Sequence, residues 1–143
     1  MLFTASPALA GTAGTSSVPS LLAAMNATRA NHGLGPLHLA TTLSRAARAH
    51  STDMLQHNYF AHGDFGSRMT QFRIAGPTIG ENLAWGTGRY GEAASIVQEW
   101  LASPEHRANL LRPGYSRIGI GIARGSFQGS SGATVVTADF AGR

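Results

Sequence analysis

Six histidines and seven acidic residues are the side chains with which this sequence could bind a metal ion or move a proton. None of the histidines follows the His-x-x-x-His or His-Glu-x-x-His spacing that predicts a metal site from local sequence alone. A single histidine more often caps a loop or a helix end than binds a ligand. Any site in this chain must therefore combine segments that lie far apart in the sequence.

The side chains needed for covalent catalysis are absent or lack a motif. The chain has no cysteine, and no serine stands in a Gly-x-Ser-x-Gly elbow. Catalysis would therefore require attack by water, helped by a metal ion or by a carboxylate such as Glu81 acting as a base.

The run GTGRYG at 86–91 has the Gly-x-Gly-x-x-Gly spacing of a dinucleotide-binding loop. The polar residues Glu81 and Asn82 precede it, where a buried parallel strand should be continuously apolar, and no βαβ series follows. We therefore interpret the run as a loop and expect no nucleotide cofactor.

Hydrophobic periodicity predicts helices first and strands last, which indicates an α+β fold. The predicted helices span 19–31, 41–57, 67–75 and 92–102, and a further helical turn begins at Pro104 after a capping Ser103. Two β-rich runs, 117–123 and 133–140, should pair as an antiparallel hairpin at the centre of a sheet with helices on both faces.

His50 lies on the apolar stripe of the second helix and is interpreted as a core residue. The residues predicted to be buried are Leu43, Met54, Ile96, Trp100 and Leu101.

Four segments resemble, in this order, the motifs of the CAP superfamily, which includes the cysteine-rich secretory, antigen-five and plant pathogenesis-related proteins. They are YFAH at 59–62, GENLA at 80–84, EWLASPEHRANLL at 99–111 and YSRIGIGIA at 115–123. The resemblance covers residues 19–140 and is greatest to the short, cysteine-free bacterial branch. It implies a three-layer α-β-α sandwich with a central, mostly antiparallel sheet and a wide cleft lined by two histidines and acidic residues.

The same resemblance assigns residues to the cleft. His62 matches the first histidine, Glu81 the glutamate of the Gly-Glu-Asn motif, and His106 the second histidine. The longer eukaryotic pattern has a second glutamate three residues after a cleft tryptophan, and here Ser103 stands at that position. The further candidates for the lining of the cleft are Trp85, Ser103, Glu99 and Glu105.

Two imidazoles and one carboxylate are the minimum set that holds a zinc-like ion and leaves a position open for water or substrate. We predict that His62, Glu81 and His106 converge on one cleft, where they would suit zinc, copper or nickel better than magnesium or calcium. Without a metal, the same three groups could share a proton network, because a nearby carboxylate raises the pKa of a histidine. The residues alone leave both alternatives open.

The N-terminal segment MLFTASPALA ends in an Ala-x-Ala pattern that is typical of a signal-peptidase site. We predict a flexible leader at 1–17 that holds the end of an export signal, with a disordered leader as the alternative, and a CAP domain at 18–143. No apolar run in the sequence is long enough to span a bilayer. The expected location is outside the cytoplasm, either secreted or in the cell envelope.

All 11 basic residues are arginines, and the formal net charge is +4. They form no run and no aromatic ladder, so we expect no nucleic-acid partner.

Three functions stay open. The preferred one is a monomeric, non-enzymatic secreted module whose cleft binds a divalent metal, a lipid or another small molecule, including envelope components. The alternatives are a metal-assisted hydrolase of peptides or cell-wall polymers, and an extracellular effector whose arginines contact anionic polymers.

Overall fold

The structure, a computed structural model, describes residues 16–143. Residues 1–15, with the predicted signal-peptidase site, lie outside the described residues. The elements in chain order are α1 (Val18–Asn31), β1 (His38–Leu39), α2 (Thr41–His57), α3 (Phe65–Gln71), β2 (Ile79–Thr87), a 3-10 turn (Gly88–Gly91), α4 (Ala93–Ala102), α5 (Pro104–Leu110), β3 (Tyr115–Phe127) and β4 (Ser130–Gly142).

The first described residues are already tied to the domain. Ser16 is buried, and its hydroxyl donates to the carbonyl of Gly91. Ser17 caps α1, because its side chain accepts the backbone N–H of Ser20 at 3.1 Å. The packed structure therefore includes these two residues, which the sequence analysis had assigned to the leader.

The sheet has the strand order β1-β3-β4-β2. As predicted, β3 and β4 pair antiparallel at its centre. Both strands are longer than predicted, because the glycine-rich segment between them is mostly strand and the chain reverses over Gln128 and Gly129 alone. Both of these residues have the left-handed φ angles, 51° and 80°, that a two-residue hairpin turn requires.

The sheet is mixed and not mostly antiparallel, because β1 pairs parallel with β3. The sequence analysis missed β1, which has only two residues, His38 and Leu39, both exposed. A strand this short and exposed leaves no alternation of apolar and polar residues from which to predict it.

Helices cover both faces of the sheet, which gives the predicted three layers. On one face α2 lies so close to β3 that a methyl group at Gly119 or Gly121 would collide with the backbone of the helix. On the other face α1 and α4 pack through Leu21, Met25, Ile96 and Trp100 against apolar residues of β3 and β4.

The predicted core is confirmed apart from one residue. The side chains of Leu43, Met54, Ile96 and Trp100 are fully buried. Leu101 is only partly buried, because it packs against the margin of the core on the far side of α4.

One helix boundary differs from the prediction. Helix α3 begins at Phe65 and not at 67, because the carboxylate of Asp64 accepts the backbone N–H of Ser67 at 2.9 Å and so caps the helix. It ends at Gln71 and not at 75, since Arg73 adopts a left-handed φ of 56°. This shift places Arg68 in the middle of the helix.

Candidate ligand-binding cleft

Strand β2 forms one edge of the sheet, and successive side chains along it point to opposite faces. Leu83 and Trp85 pack with Met54 of α2, whereas Ala84 packs in the core beneath α1 and α4. By the same alternation, Glu81 faces the α2 layer and Asn82 faces the α4 layer. The edge of the sheet can therefore bring together groups from both helical layers.

Glu81 and His62 are in direct contact. The glutamate is buried, with 2% of its side chain exposed, and its Oε1 lies 2.7 Å from Nδ1 of His62. The histidine side chain is 53% exposed at the rim. An ionised carboxylate can only accept hydrogen bonds, so Nδ1 of His62 carries the proton and Nε2 of the neutral ring is the atom left to bind a ligand.

Arg68 is a member of this site that the sequence analysis missed. Its Nη2 forms an ion pair with Oε2 of Glu81, so both oxygens of the glutamate are engaged. Its Nη1 donates to the carbonyl of His62 at 3.0 Å and to Nδ1 of His50 at 3.1 Å. Arg68 is one of eleven arginines without a run or motif, so no sequence pattern distinguished it.

His50 is buried, as its place on the apolar stripe of α2 predicted. Because a guanidinium can only donate, Nδ1 of His50 must accept, and the proton lies on Nε2, which donates to the carbonyl of Ala61 at 2.9 Å. Burial, and secondarily the charge of Arg68, lowers the pKa of His50. The neutral ring of His50 therefore holds Arg68 in place without adding a charge.

Asp139 is the second residue that the sequence analysis missed. It pairs with Glu81 across β2 and β4, and it is completely buried. Burial, reinforced by the adjacent Glu81, raises the pKa of Asp139 to about 9, so this carboxyl is protonated at neutral pH. Among residues 16–143, no donor reaches either oxygen, and the protonated carboxyl is instead the donor of a hydrogen bond to the carboxylate of Glu81. The only sequence signal was one acid inside the β-rich run TVVTADF.

His106 reaches the cleft from the other helical layer. It is partly buried in α5, and its backbone carbonyl accepts Nδ2 of Asn82 at 2.9 Å. Asn109 donates to the side-chain oxygen of Asn82 at 3.0 Å, so the two asparagines anchor α5 to β2. Burial lowers the pKa of His106, and the nearby His62 lowers it further. Nδ1 of His106 is buried and has no partner in the described part of the chain.

The other predicted lining residues lie outside this contact network. Trp85 packs edge-to-face on Phe127, with ring centroids 5.2 Å apart. Ser103 occupies the N-cap position of α5, but its side chain makes no capping hydrogen bond, so the predicted cap by its hydroxyl is wrong. Glu99 and Glu105 are exposed, and they are near enough to His106 to oppose the lowering of its pKa.

The donor set differs from a preformed three-ligand metal site. Between residues 16 and 143, no three His, Asp or Glu side chains are grouped closely enough to hold a metal ion. Glu81 instead stands behind His62, in the arrangement by which a carboxylate orients a metal-binding histidine. The groups that fit a metal directly are the free nitrogen of His62 and the imidazole of His106.

A model of the cysteine-rich secretory protein (CAP) family matches residues 22–140. The chain belongs to this family. It has no cysteine, and its similarity to bacterial proteins agrees with the short, cysteine-free bacterial branch. No helix of this CAP domain within the described residues is long and apolar enough to cross a bilayer.

The relatives support the same conclusion. The uncharacterized protein YkwD of Bacillus subtilis (strain 168) is 40% identical over 120 residues, which cover 75% of this chain and 46% of YkwD. An extracellular protein containing an SCP domain from Bacillus anthracis str. Ames has a TM-score of 0.73 and 26% identity, over 87% of this chain and 40% of that protein. The chain therefore spans less than half of either relative.

A third similarity concerns the fold alone. An outer surface protein from Borrelia burgdorferi has a TM-score of 0.69 at 21% identity, over 86% of this chain and 90% of that protein. The shared fold thus covers nearly the whole of that Borrelia chain, whereas the Bacillus relatives are much longer.

Proposed function

We propose that this CAP domain acts outside the cytoplasm as a binding module and takes up a divalent transition-metal ion, best zinc, through His62 and His106. The observation that carries the proposal is the bond between Nδ1 of His62 and Glu81, which leaves Nε2 as the ligating atom. His106 adds an imidazole with a lowered pKa and a nitrogen without a partner among the described residues. Two neutral imidazoles favour zinc, copper or nickel over magnesium or calcium.

Export is supported by the Ala-x-Ala pattern of the N-terminal segment and by the relatives. The Bacillus anthracis protein is described as extracellular, and the Borrelia burgdorferi protein as an outer surface protein. A fusion of the whole chain to a reporter that is active only outside the cytoplasm tests this part of the proposal. A reporter that stays inactive would contradict it.

The metal-binding part is tested by calorimetric titration of zinc into metal-free protein. His62→Ala and His106→Ala should each weaken binding at least tenfold, and wild-type binding should weaken as pH falls through the histidine range, because protonated imidazoles cannot bind a metal. His57→Ala is the matched control, since His57 is a histidine exposed at the end of α2. Equal affinity in all four proteins would reject His62 and His106 as ligands.

An apolar ligand such as a lipid is the second candidate, on one observation. Phe60 lies two residues before His62, is 42% exposed, and contacts Phe127 edge-to-face with ring centroids 6.5 Å apart. Its ring therefore extends the partly buried aromatic cluster of Tyr59, Trp85 and Phe127 toward the cleft. Native mass spectrometry after incubation with membrane-lipid extracts should retain a lipid in wild type and lose it in Phe60→Ser. No retained lipid from any extract would reject this candidate.

The two remaining alternatives have less support. A metal-assisted hydrolase would use Glu81 as the base, but both oxygens of Glu81 are engaged by Arg68 and His62, and Asp139 beside it is buried and protonated. An anionic-polymer ligand would use surface arginines, but the exposed arginines, among them Arg45, Arg89 and Arg143, are spread over separate parts of the chain and form no run. We therefore propose neither activity for this domain.

A further inference from the structure

Arg68 connects three separate parts of the molecule from within the α2 layer. Its guanidinium contacts the carboxylate of Glu81 on β2, the imidazole of His50 on α2 and the backbone carbonyl of His62 in the loop between α2 and α3. The ring of Phe65 lies 5.6 Å from the guanidinium carbon and helps to shield it from water. Planar, forked donors suit this set of acceptors, which the single ammonium of lysine could not serve all at once.

The surroundings of Glu81 explain what this arginine does. The glutamate is buried beside Asp139, a second carboxyl that is completely buried. A buried carboxylate requires a compensating charge. Arg68 provides that charge at Oε2, which leaves Oε1 as an acceptor for the ring of His62. Without Arg68, the side chain of Glu81 is free to turn away, and Nδ1 of His62 loses its fixed acceptor.

We infer that Arg68 is a positioning residue that sets the tautomer of His62 through Glu81. Arg68 holds the carboxylate of Glu81 in place, Glu81 accepts the Nδ1–H of His62, and Nε2 of His62 is thereby left free to bind a ligand. The bond from Arg68 to the carbonyl of His62 holds the same loop from its backbone side. The effect on metal binding rests on the proposed function, whereas the tautomer of His62 can be measured without any metal.

The tautomer is measured by long-range 15N–1H NMR of the histidine rings in metal-free protein, above the pH range in which histidine titrates. The His62 signals are assigned from their loss in His62→Ala. Wild type should show the proton on Nδ1, and Arg68→Met should move it toward Nε2. Arg68→Lys should keep it on Nδ1, because lysine still provides one charged donor for Glu81. Arg48→Met removes an exposed arginine of α2 and should change nothing.

Three outcomes would overturn the inference. One is a wild-type His62 with its proton on Nε2, and another is an Arg68→Met protein that keeps the wild-type tautomer. The third is a loss of the tautomer in Arg68→Lys as well, which would exclude the ion pair with Glu81 as the route. If Arg68→Met does not fold, wild type and Arg68→Lys still test the inference, because Arg68→Lys retains the positive charge.

The consequence for metal binding is tested by a double-mutant cycle with Glu81→Gln. Loss of a group that orients a metal-binding histidine typically weakens binding about 10–100-fold, and we expect Arg68→Met and Glu81→Gln each to fall in that range. Because both act through one bond, the double variant should bind zinc within about twofold of Glu81→Gln alone. Additive losses would show that Arg68 acts by another route. A correct tautomer pattern in a protein that binds no zinc would reject the proposed function and leave the positioning role standing.

Discussion

Helices α1 and α4 cover a face of the sheet that is packed chiefly with aliphatic and aromatic side chains, together with Arg29 and Asn82, whereas α2 covers the face on which the two buried acidic residues, Glu81 and Asp139, lie. On the α2 face, Ser51 of the helix bonds to Thr137 of β4 at 2.8 Å, and Glu81 and Asp139 lie beside each other nearby. Polar groups are costly to bury unless they are paired. The two buried carboxyl groups lie on the α2 face and Glu81 contacts His62, which indicates that this face supports the candidate site.

Two arginines show the same contrast. Arg29 on α1 is 1% exposed and donates only to backbone carbonyls, at 2.8–3.1 Å. These carbonyls belong to Gly35, Leu110, Arg112 and Tyr115. Arg29 therefore ties α1 to the end of α5 and the start of β3. Arg68 instead directs its donors to Glu81 and His50, side chains that can change protonation. The first arrangement fixes the fold, and the second fixes the state of the cleft.

The largest loss of stability should come from a substitution on the face that α1 and α4 cover. Trp100 is fully buried, and its Nε1 donates to the carbonyl of Leu83 at 2.9 Å on the outer edge of β2. Trp100→Ala should lower the free energy of unfolding by about 3–5 kcal/mol, because it leaves a cavity and also frees that carbonyl. Urea denaturation measures the loss. A change below about 1 kcal/mol would contradict the assignment of this face as the main source of stability.

A medium and strongly pH-dependent effect should come from the polar face. The pKa of Asp139 is raised to about 9 in the folded protein from an ordinary value near 3.8. Between these values the native state holds a proton that the unfolded chain has lost, so this group makes stability fall as pH rises. Asparagine at this position is uncharged at every pH, so the Asp139→Asn variant lacks this pH-dependent contribution to stability. Its stability relative to wild type should therefore increase from pH 4 to pH 9, by at most about 1.4 kcal/mol per pH unit.

Denaturation curves at several pH values test this prediction. Asp53→Asn is the matched control, because Asp53 is an aspartate with half of its side chain exposed and a lowered pKa. The control should keep the wild-type slope above pH 5. Parallel stability curves for wild type and Asp139→Asn would show that Asp139 is ionised when folded, and the polar face would then lose its distinguishing feature.

The sequence was sufficient for the parts of the fold that have a strong local pattern. The hairpin of β3 and β4 follows from two β-rich runs. The resemblance to the CAP superfamily, which the family match confirms, pointed to His62 and Glu81, which are in contact, and to His106, whose place in a shared cleft stays a prediction. It was insufficient where the decisive fact is a contact between distant segments. Arg68 looks like any other helical arginine until α3 packs against β2, and Asp139 faces Glu81 only through the register of β2 and β4.

The role of Glu81 shows the same limit. A carboxylate and two histidines suggested three ligands to one ion, but the chemistry of the glutamate depends on what occupies its two oxygens. Arg68 takes one and His62 the other, so Glu81 orients the ring of His62 and is not free to bind an ion itself. That distinction rests on hydrogen-bond geometry and has no counterpart in residue type or spacing.

The smallest effect on stability should come from the rim, where His106 lies between the two helical layers. Its ring is partly buried, and Nδ1 has no partner in the described part of the chain, so His106→Ala should change the free energy of unfolding at pH 7.5 by no more than about 0.5 kcal/mol.

Burial and the nearby His62 lower the pKa of His106 below 6.5. As pH falls through that ordinary value, the unfolded chain takes up a proton before the native state does, and wild-type stability falls. His106→Ala lacks this pH-dependent contribution, so its loss of stability relative to wild type should shrink or reverse at pH 5.5. Urea denaturation with a chelator present measures both conditions, and His57→Ala should follow wild type. A cost above about 1 kcal/mol at pH 7.5 would mean that His106 supports the fold, and the separation between a stabilising face and a ligand-binding rim would fail there.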